Sequence, residues 1–141
     1  MERAVTLARH EGFANSCRPE HGRLLFALAA QLFSGVPQVT VIQGDWPEIY
    51  PHGPFDLLVL DGGAHGKPGP PAADPDLLLR PGGTLVIDDL TPARHWPPRY
   101  AGGVDEARMC WLDYPGLDAA ELRLPPDLAA LVATRRFPAH P

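Results

Sequence analysis

The sequence predicts an α/β fold of about five strands, mostly parallel, with an antiparallel hairpin at the C-terminal end. Two apolar runs, residues 57–60 and 84–87, each end in acidic residues, and a Gly/Pro loop and a short helical stretch at residues 74–79 separate them. A strand, a crossover and a second strand form a parallel pair with a right-handed connection. Continuous apolar runs of this length are typical of strands that are buried on both faces. The two runs therefore predict the centre of the sheet.

The other elements are predicted from local patterns. Leu24, Leu28 and Leu32 recur at helical spacing, which predicts an amphipathic helix over residues 19–33. The β-branched run at residues 39–43 predicts a strand. We further expect a helix over residues 105–114 and a hairpin of residues 117–124 and 128–134, because the short connection between these last two runs permits only an antiparallel pair. We interpret residues 1–141 as one domain, with an N-terminal helical segment at 1–35 and a sheet core at 36–141.

Composition excludes several classes of function. The chain has 141 residues and a formal net charge of -5, so it lacks the clustered Lys and Arg of an electrostatic nucleic-acid binder. No apolar run approaches the roughly 20 residues that a membrane helix needs. The N-terminus has no apolar signal core, so we expect a cytoplasmic protein without a membrane partner. The two cysteines, Cys17 and Cys110, are expected to be buried thiols.

Acidic residues follow three of the predicted strands. Asp45, Asp61 and the pair Asp88 and Asp89 should meet at the carboxyl edge of the sheet, where ligands bind in open α/β folds. The alternative is that these acids cap turns and solvate the sheet edge. His65 lies in the Gly-rich loop after Asp61, and we weigh it as a base for a substrate hydroxyl or as a solvated loop histidine.

Aromatic residues lie in two of the loops. Trp46 is placed either to stack on an adenine ring or to plug the end of the sheet. The loop at residues 91–103 carries His95 and Trp96, which would form a substrate wall or lid, or a hydrophobic plug. Trp111, on the predicted helix, is expected to lie in the core.

Three motifs and the terminal hairpin follow one another in the same order as in a known superfamily. The motifs are GDW at residues 44–46, FDLLVLDGG at 55–63 and LLLRPGGTLVIDDL at 77–90. The chain resembles class I S-adenosylmethionine-dependent methyltransferases, and more narrowly their O-methyltransferase-like members. The resemblance implies a Rossmann-like fold and methyl transfer from S-adenosylmethionine to a small hydroxylated acceptor. We accordingly expect these sites: cofactor contacts from Gly44, Asp45, Trp46, Asp61 and Gly62, catalytic roles for Asp61 and His65, and a Mg²⁺ site at Asp61, Asp88 and Asp89.

The chain departs from this family in its N-terminal half. The family's first strand ends in an E-x-G-x-G-x-G loop and its second strand ends in an acid, but no G-x-G occurs in this sequence. We therefore predict a truncated fold in which the strand at residues 39–43 pairs directly with the strand at 57–60, and a methyltransferase activity impaired by the loss. Asp89 also stands where the family has Asn. The alternative function is a non-catalytic module that binds a partner or forms a homodimer.

Overall fold

The computed structural model describes residues 27, 31, 34–42, 44–61, 66, 73–124 and 127–138, with Asp89 described by its backbone alone. The chain divides into two compact units, Met1–Gly44 and Asp45–Pro141. In the first unit Ala27 and Gln31 are helical. The rest of the helix predicted over residues 19–33 lies outside the described residues.

The second unit is a mixed α/β structure built on a sheet of four strands in the order β1-β2-β6-β5, beside a small sheet of β3 and β4. A short 3-10 helix follows Asp45 in the second unit. The elements are the 3-10 helix Trp46–His52, β1 Phe55–Leu60, α1 Pro75–Leu78, β2 Leu79–Leu90, β3 Arg99–Tyr100, β4 Gly103–Val104, α2 Glu106–Leu112, β5 Leu117–Arg123 and β6 Ala129–Arg135.

The predicted parallel pair and the C-terminal hairpin are confirmed. β1 runs parallel to β2, with Leu57 opposite Thr84 and Leu60 opposite Ile87. β6 is antiparallel to both of its neighbours, β2 and β5. The strands β1, β2 and β5 therefore point the same way, and β6 lies between β2 and β5 in the opposite direction.

Two predictions about the sheet are wrong. Only one of its three neighbouring strand pairs is parallel, so the sheet is mixed rather than mostly parallel. Residues 39–42 form no strand, which leaves β1 at the edge of the described sheet, and Gln43 lies outside the described residues. The β-branched composition of this run is not sufficient, because β-propensity depends on packing against neighbouring strands.

The Arg80-Pro81-Gly82-Gly83 segment forms a bulge inside β2. Phe55 pairs with Leu79 and Leu57 with Thr84, so one residue of β1 faces four residues of β2. Gly82 has a φ of +81°, and a Cβ on Gly83 would lie 2.8 Å from the Phe55 carbonyl oxygen. The paired glycines are what permit the backbone to loop out at this point.

Among the residues that the structure describes, the hydrophobic core lies on one face of the sheet. Leu58, Leu85 and Ala133 are buried there, together with Leu78 of α1 and Trp111 of α2. This position confirms the prediction that Trp111 is a core residue.

The other face of the sheet is open. Leu57 is 59% exposed and Val59 is 54% exposed, so the prediction that β1 is buried on both faces is wrong. The apolar run signals a strand, but which of its faces is covered depends on where the helices pack.

Two further findings concern single elements. Cys110 of α2 is exposed, so the prediction of a buried thiol is wrong there, and Cys17 lies outside the described residues. In the part of the chain that the structure describes, no helix has both the length and the apolar composition needed to cross a membrane.

Candidate functional site

The carboxyl edge of the β1–β2 pair is the candidate site. β1 ends at Leu60, which lies opposite Ile87, so Asp61 and Asp88 are the next residues on two neighbouring parallel strands. Asp61 is exposed and Asp88 is half-buried. Asp61 and Asp88 therefore lie at the same edge of the sheet, as predicted from the two apolar runs that end in acidic residues.

Asp88 and Asp89 lie inside β2 rather than after it. β2 continues to Leu90, which pairs with Ala129 of β6, and the register shifts between Ile87 and Leu90. The two acids thus occupy an irregularity in the β2–β6 pairing, beyond the end of β1. The backbone there leaves the regular ladder, and Asp88, a half-buried residue, directly follows the partner of the last residue of β1.

The remaining metal and catalytic candidates fall largely outside the description. Gly62 and His65 are not among the described residues, and neither is the side chain of Asp89. Within the described residues, no group of three or more His, Cys, Asp and Glu side chains is arranged to hold a metal. The Mg²⁺ site proposed for Asp61, Asp88 and Asp89 stays a prediction.

Asp45 and Trp46 do not lie where the predicted strand at residues 39–43 would bring them. Asp45 is exposed and precedes the 3-10 helix, and its carbonyl oxygen accepts a hydrogen bond from the Glu48 amide at 3.0 Å. Trp46 packs against the hydrophobic core, with its ring centroid 5.8 Å from that of Tyr50. This packing agrees with the interpretation of Trp46 as a plug. Gly44, the third residue of this group, is exposed and belongs to the first unit.

A buried ionic network fixes the loop that follows β2. The guanidinium of Arg108 donates from Nε to Asp105 at 3.0 Å, and from Nη1 to Glu121 at 2.8 Å and to the Thr91 carbonyl oxygen at 2.9 Å. The side chains of Arg108 and Asp105 are each 2% exposed. Glu121 also accepts a hydrogen bond from the Ala93 amide at 2.9 Å. The network therefore ties residues 91 and 93 of the loop to α2 and β5.

The same loop presents two exposed side chains beyond its anchors. His95 is exposed and Trp96 is 68% exposed, so Trp96 is not a plug over the sheet end. The loop closes at Pro98, a buried residue whose carbonyl oxygen accepts from the Asp105 amide at 2.9 Å. A loop held at its start and its end, with an exposed aromatic ring between, is suited to contact a ligand at the neighbouring edge.

A second polar cluster joins α1, the turn before β5 and the end of β6. The Tyr114 hydroxyl donates to Asp76 at 2.8 Å, and Arg135 forms an ion pair with Asp76 at 3.3 Å and donates to the Leu79 carbonyl oxygen. Burial, together with the hydrogen bond to Asp76, raises the pKa of Tyr114 from 10.0 to about 12. This cluster lies at the amino end of β2, away from the carboxyl edge, and its contacts hold α1 against the hairpin.

Sequence reasoning missed both clusters. A charged helix residue such as Arg108 is ordinarily placed on the surface. The available signal was the spacing of Asp105 and Arg108, three residues apart at a helix start, where an acid caps the helix and faces the next turn. The convergence of Glu121 from β5 depends on the fold and has no local signature.

Comparison with known proteins gives no match to this chain among protein-family models, curated proteins or solved structures.

Proposed function

We propose that this chain is a class I methyltransferase-like domain that has the acceptor side of the family's site and lacks most of the donor side. The reaction of its lineage would be O-methyl transfer from S-adenosylmethionine to a small hydroxylated acceptor. The observation that supports this proposal is the strand order β1-β2-β6-β5, with an antiparallel last strand between two strands that point the other way. The resemblance to class I methyltransferases implies this arrangement for the C-terminal half of the sheet.

The acceptor side would consist of the carboxyl edge and the loop after β2. Asp61 and Asp88 offer carboxylate oxygens to an acceptor hydroxyl, and either can hold the proton that the hydroxyl loses when its oxygen is methylated. Trp96 would cover the acceptor ring or chain from the anchored loop. Such a site accelerates transfer mainly by positioning the acceptor.

Carboxylates of this kind are also the hard oxygen ligands that Mg²⁺ prefers. Mg²⁺ held by Asp61 and Asp88, with Asp89, would favour the ionised form of the acceptor hydroxyl.

The donor side does not fit S-adenosylmethionine. Residues 39–42 form no strand that would bring Asp45 to the carboxyl edge, and the sequence has no G-x-G loop to approach the methionine portion. Each lost hydrogen bond to the cofactor removes roughly 0.5–3 kcal/mol of binding free energy. A micromolar affinity corresponds to about -8 kcal/mol, so the loss of a few such contacts removes most of it.

Thermal unfolding with S-adenosylhomocysteine tests this proposal. A ligand that binds only the folded state raises the melting temperature once its concentration exceeds the dissociation constant. We expect no shift at 0.1 mM S-adenosylhomocysteine (a working level on the order of 100 times a micromolar constant). A saturable shift at that concentration, lost in Asp61→Asn, would show a complete donor site and would overturn the proposed loss.

A second candidate function is a non-catalytic methyltransferase-like module that binds another protein or a second copy of itself. The observation that favours it is the exposed apolar face of the sheet, where Leu57, Val59 and Leu122 are each about half exposed or more. Enzymes with a doubly covered sheet have no such face.

A further inference from the structure

A cationic segment follows β2 and continues through β3 and β4. The cationic segment, residues 91–104, contains Arg94, His95 and Arg99 but no aspartate or glutamate, whereas the whole chain has a formal net charge of -5. All three of these residues are exposed. Arg94 and Arg99 therefore present a local excess of positive charge to solvent on an acidic protein.

The arginines of this region differ from the others in their ion pairing. Within the described residues, four arginines pair with carboxylates at 3.3 Å or less, namely Arg80, Arg108, Arg135 and Arg136. Arg94, Arg99 and Arg123 have no described carboxylate within 4.0 Å. Glu106, an exposed acid at the start of α2, likewise lies more than 4.0 Å from every described cation. The three guanidinium groups thus have charge that no described carboxylate neutralises by direct contact.

The loop of residues 91–98 is closed at its neck by the buried network. Arg108 donates to the Thr91 carbonyl oxygen at 2.9 Å, and the Asp105 amide donates to the Pro98 carbonyl oxygen at 2.9 Å. Asp105 and Arg108 are themselves joined at 3.0 Å, so both ends of the loop attach to the first turn of α2. Compact surface loops whose ends lie close together are frequently functional. This loop is a fixed platform for its exposed side chains.

Two residues of β5 hold the backbone beside Arg94. The Ala93 amide donates to Glu121 at 2.9 Å, and the Ala93 carbonyl oxygen accepts from Nη2 of Arg123 at 3.0 Å. That carbonyl belongs to the peptide that joins Ala93 to Arg94, so the guanidinium of Arg123 lies within reach of the Arg94 side chain. Arg123 is exposed and has further N–H donors. An anion bound here would meet two guanidinium groups.

Trp96 adds a flat apolar surface to the same loop. It lies between Arg94 and Arg99 in the chain, and it is 68% exposed. Aromatic rings pair with one another in offset or edge-to-face arrangements. Guanidinium groups bind carboxylate and phosphate through two parallel hydrogen bonds. A ligand that uses both features carries an aromatic ring and an anionic group.

A nucleic acid suits this surface less well than a small molecule does. Affinity for a nucleic acid grows with the number of phosphates that are neutralised, and three arginines neutralise few of them. The net charge of -5 also repels a polyanion as it approaches. A ligand with one anionic group needs only the local charge of the cationic segment.

We propose that the cationic segment, with Arg123 of β5, binds a small aromatic molecule that carries a carboxylate or phosphate group. The ring stacks on Trp96, and the anionic group pairs with the guanidinium groups of Arg94 and Arg123. Arg99 adds a third positive charge near the neck of the loop. This inference goes beyond the proposed methyl transfer and does not depend on it, because it concerns binding alone.

NMR titration of the ¹⁵N-labelled full chain with benzoate tests the proposal. The indole Nε1–H resonance of Trp96, assigned by its loss in Trp96→Phe, reports binding at this site. We expect a saturable shift with a dissociation constant in the millimolar range. Benzyl alcohol, which keeps the ring but has no charge, should bind on the order of tenfold more weakly, because it makes no charge-assisted hydrogen bond. Phenyl phosphate, titrated in parallel, shows which anionic group the site prefers.

An arginine variant and its control show whether the anionic group binds where proposed. Arg94→Gln should weaken benzoate binding on the order of tenfold, since it removes one charge-assisted partner. Arg80→Gln is the matched control, because Arg80 is an exposed arginine at the amino end of β2, and it should leave the affinity unchanged. Far-UV circular dichroism establishes that each variant is folded. If Arg94→Gln does not fold, Arg123→Gln repeats the test on the second cation.

Four results would overturn the proposal. The first is the absence of a saturable shift of the Trp96 resonance up to about 20 mM benzoate, well above a millimolar dissociation constant. The second is equal affinity for benzoate and benzyl alcohol. The third is an affinity for benzoate that is the same in Arg94→Gln and Arg123→Gln as in the wild type. The fourth is displacement of benzoate by oligo-dT, which would show a nucleic-acid surface. S-adenosylhomocysteine binding by the same samples reports separately on the methyltransferase proposal.

Discussion

Replacing Arg108 by methionine should destabilise the fold more than any surface substitution. Methionine keeps the length and much of the apolar volume of the arginine stem but removes three side-chain hydrogen bonds, to Asp105, Glu121 and the Thr91 carbonyl oxygen. Asp105, whose side chain is 2% exposed, is then left as a buried carboxylate without a cation. Removing one partner of a buried ion pair costs about 3–5 kcal/mol, against a typical total of about 5–15 kcal/mol for a domain.

The measurement is urea unfolding followed by circular dichroism, with the free energy of unfolding extrapolated to water. We expect Arg108→Met to lower it by about 3–5 kcal/mol, because the carboxylate of Asp105 loses its cation and the Thr91 carbonyl oxygen its donor. The matched control is Arg80→Met, which removes the ion pair between Arg80 and Asp56. The side chain of Arg80 is 58% exposed and that of Asp56 is 80% exposed. Exposed pairs contribute at most about 1 kcal/mol, so this control should stay close to the wild type.

A charge-neutral triple variant separates the buried charge from packing. Asp105→Asn and Glu121→Gln, added to Arg108→Met, keep the oxygen acceptors but remove the two carboxylate charges. We expect the triple variant to be more stable than Arg108→Met alone at pH 7, because no unpaired charge remains in the core. A loss below about 1 kcal/mol in Arg108→Met, similar to that in Arg80→Met, would refute the reasoning.

Three further predictions concern other parts of the structure. The pKa of Tyr114 rises from 10.0 to about 12 on folding, so the contribution of Tyr114 to stability is complete below pH 10 and is lost as the pH rises toward 12. Between pH 10 and pH 12 the free energy of unfolding should therefore fall more steeply with pH for the wild type than for Tyr114→Phe. An equal pH dependence in the two proteins would contradict this. Gly83→Ala should lower the free energy of unfolding by about 1–3 kcal/mol, because the new Cβ would lie 2.8 Å from the Phe55 carbonyl oxygen. Gly35→Ala, whose Cβ would have no atom within 4 Å, should leave the free energy of unfolding unchanged in the same urea assay. Titration calorimetry with Mg²⁺ should give heat that Asp88→Ala abolishes, and an absence of heat in the wild type would remove the metal site.

The parts of the fold that sequence predicted correctly are those set by chain connectivity. The two apolar runs with a crossover between them require a parallel pair, and the short connection before β6 requires an antiparallel one. The acids that follow β1 and lie in β2 come to one edge for the same reason. These predictions needed only the chain order and the length of each connection.

The parts that failed depend on what lies alongside in space. Residues 39–42 have β-branched side chains but no strand partner, so they form no strand. Leu57 and Val59 belong to an apolar run, yet α1 and α2 cover only the other side of the sheet. The burial of Arg108 required Asp105 and Glu121 to meet across two elements, which no local pattern encodes.

Amide hydrogen exchange followed by NMR tests most directly the proposal that this sheet corresponds to the acceptor-side strands of a methyltransferase-like fold and has no donor-side strand. The amides of β6 should exchange slowly and show cross-strand contacts to both β2 and β5, while the amides of residues 40–42 exchange as fast as those of an unpaired loop. Slow exchange at Val41 and Ile42, with cross-strand contacts to β1, would contradict the account.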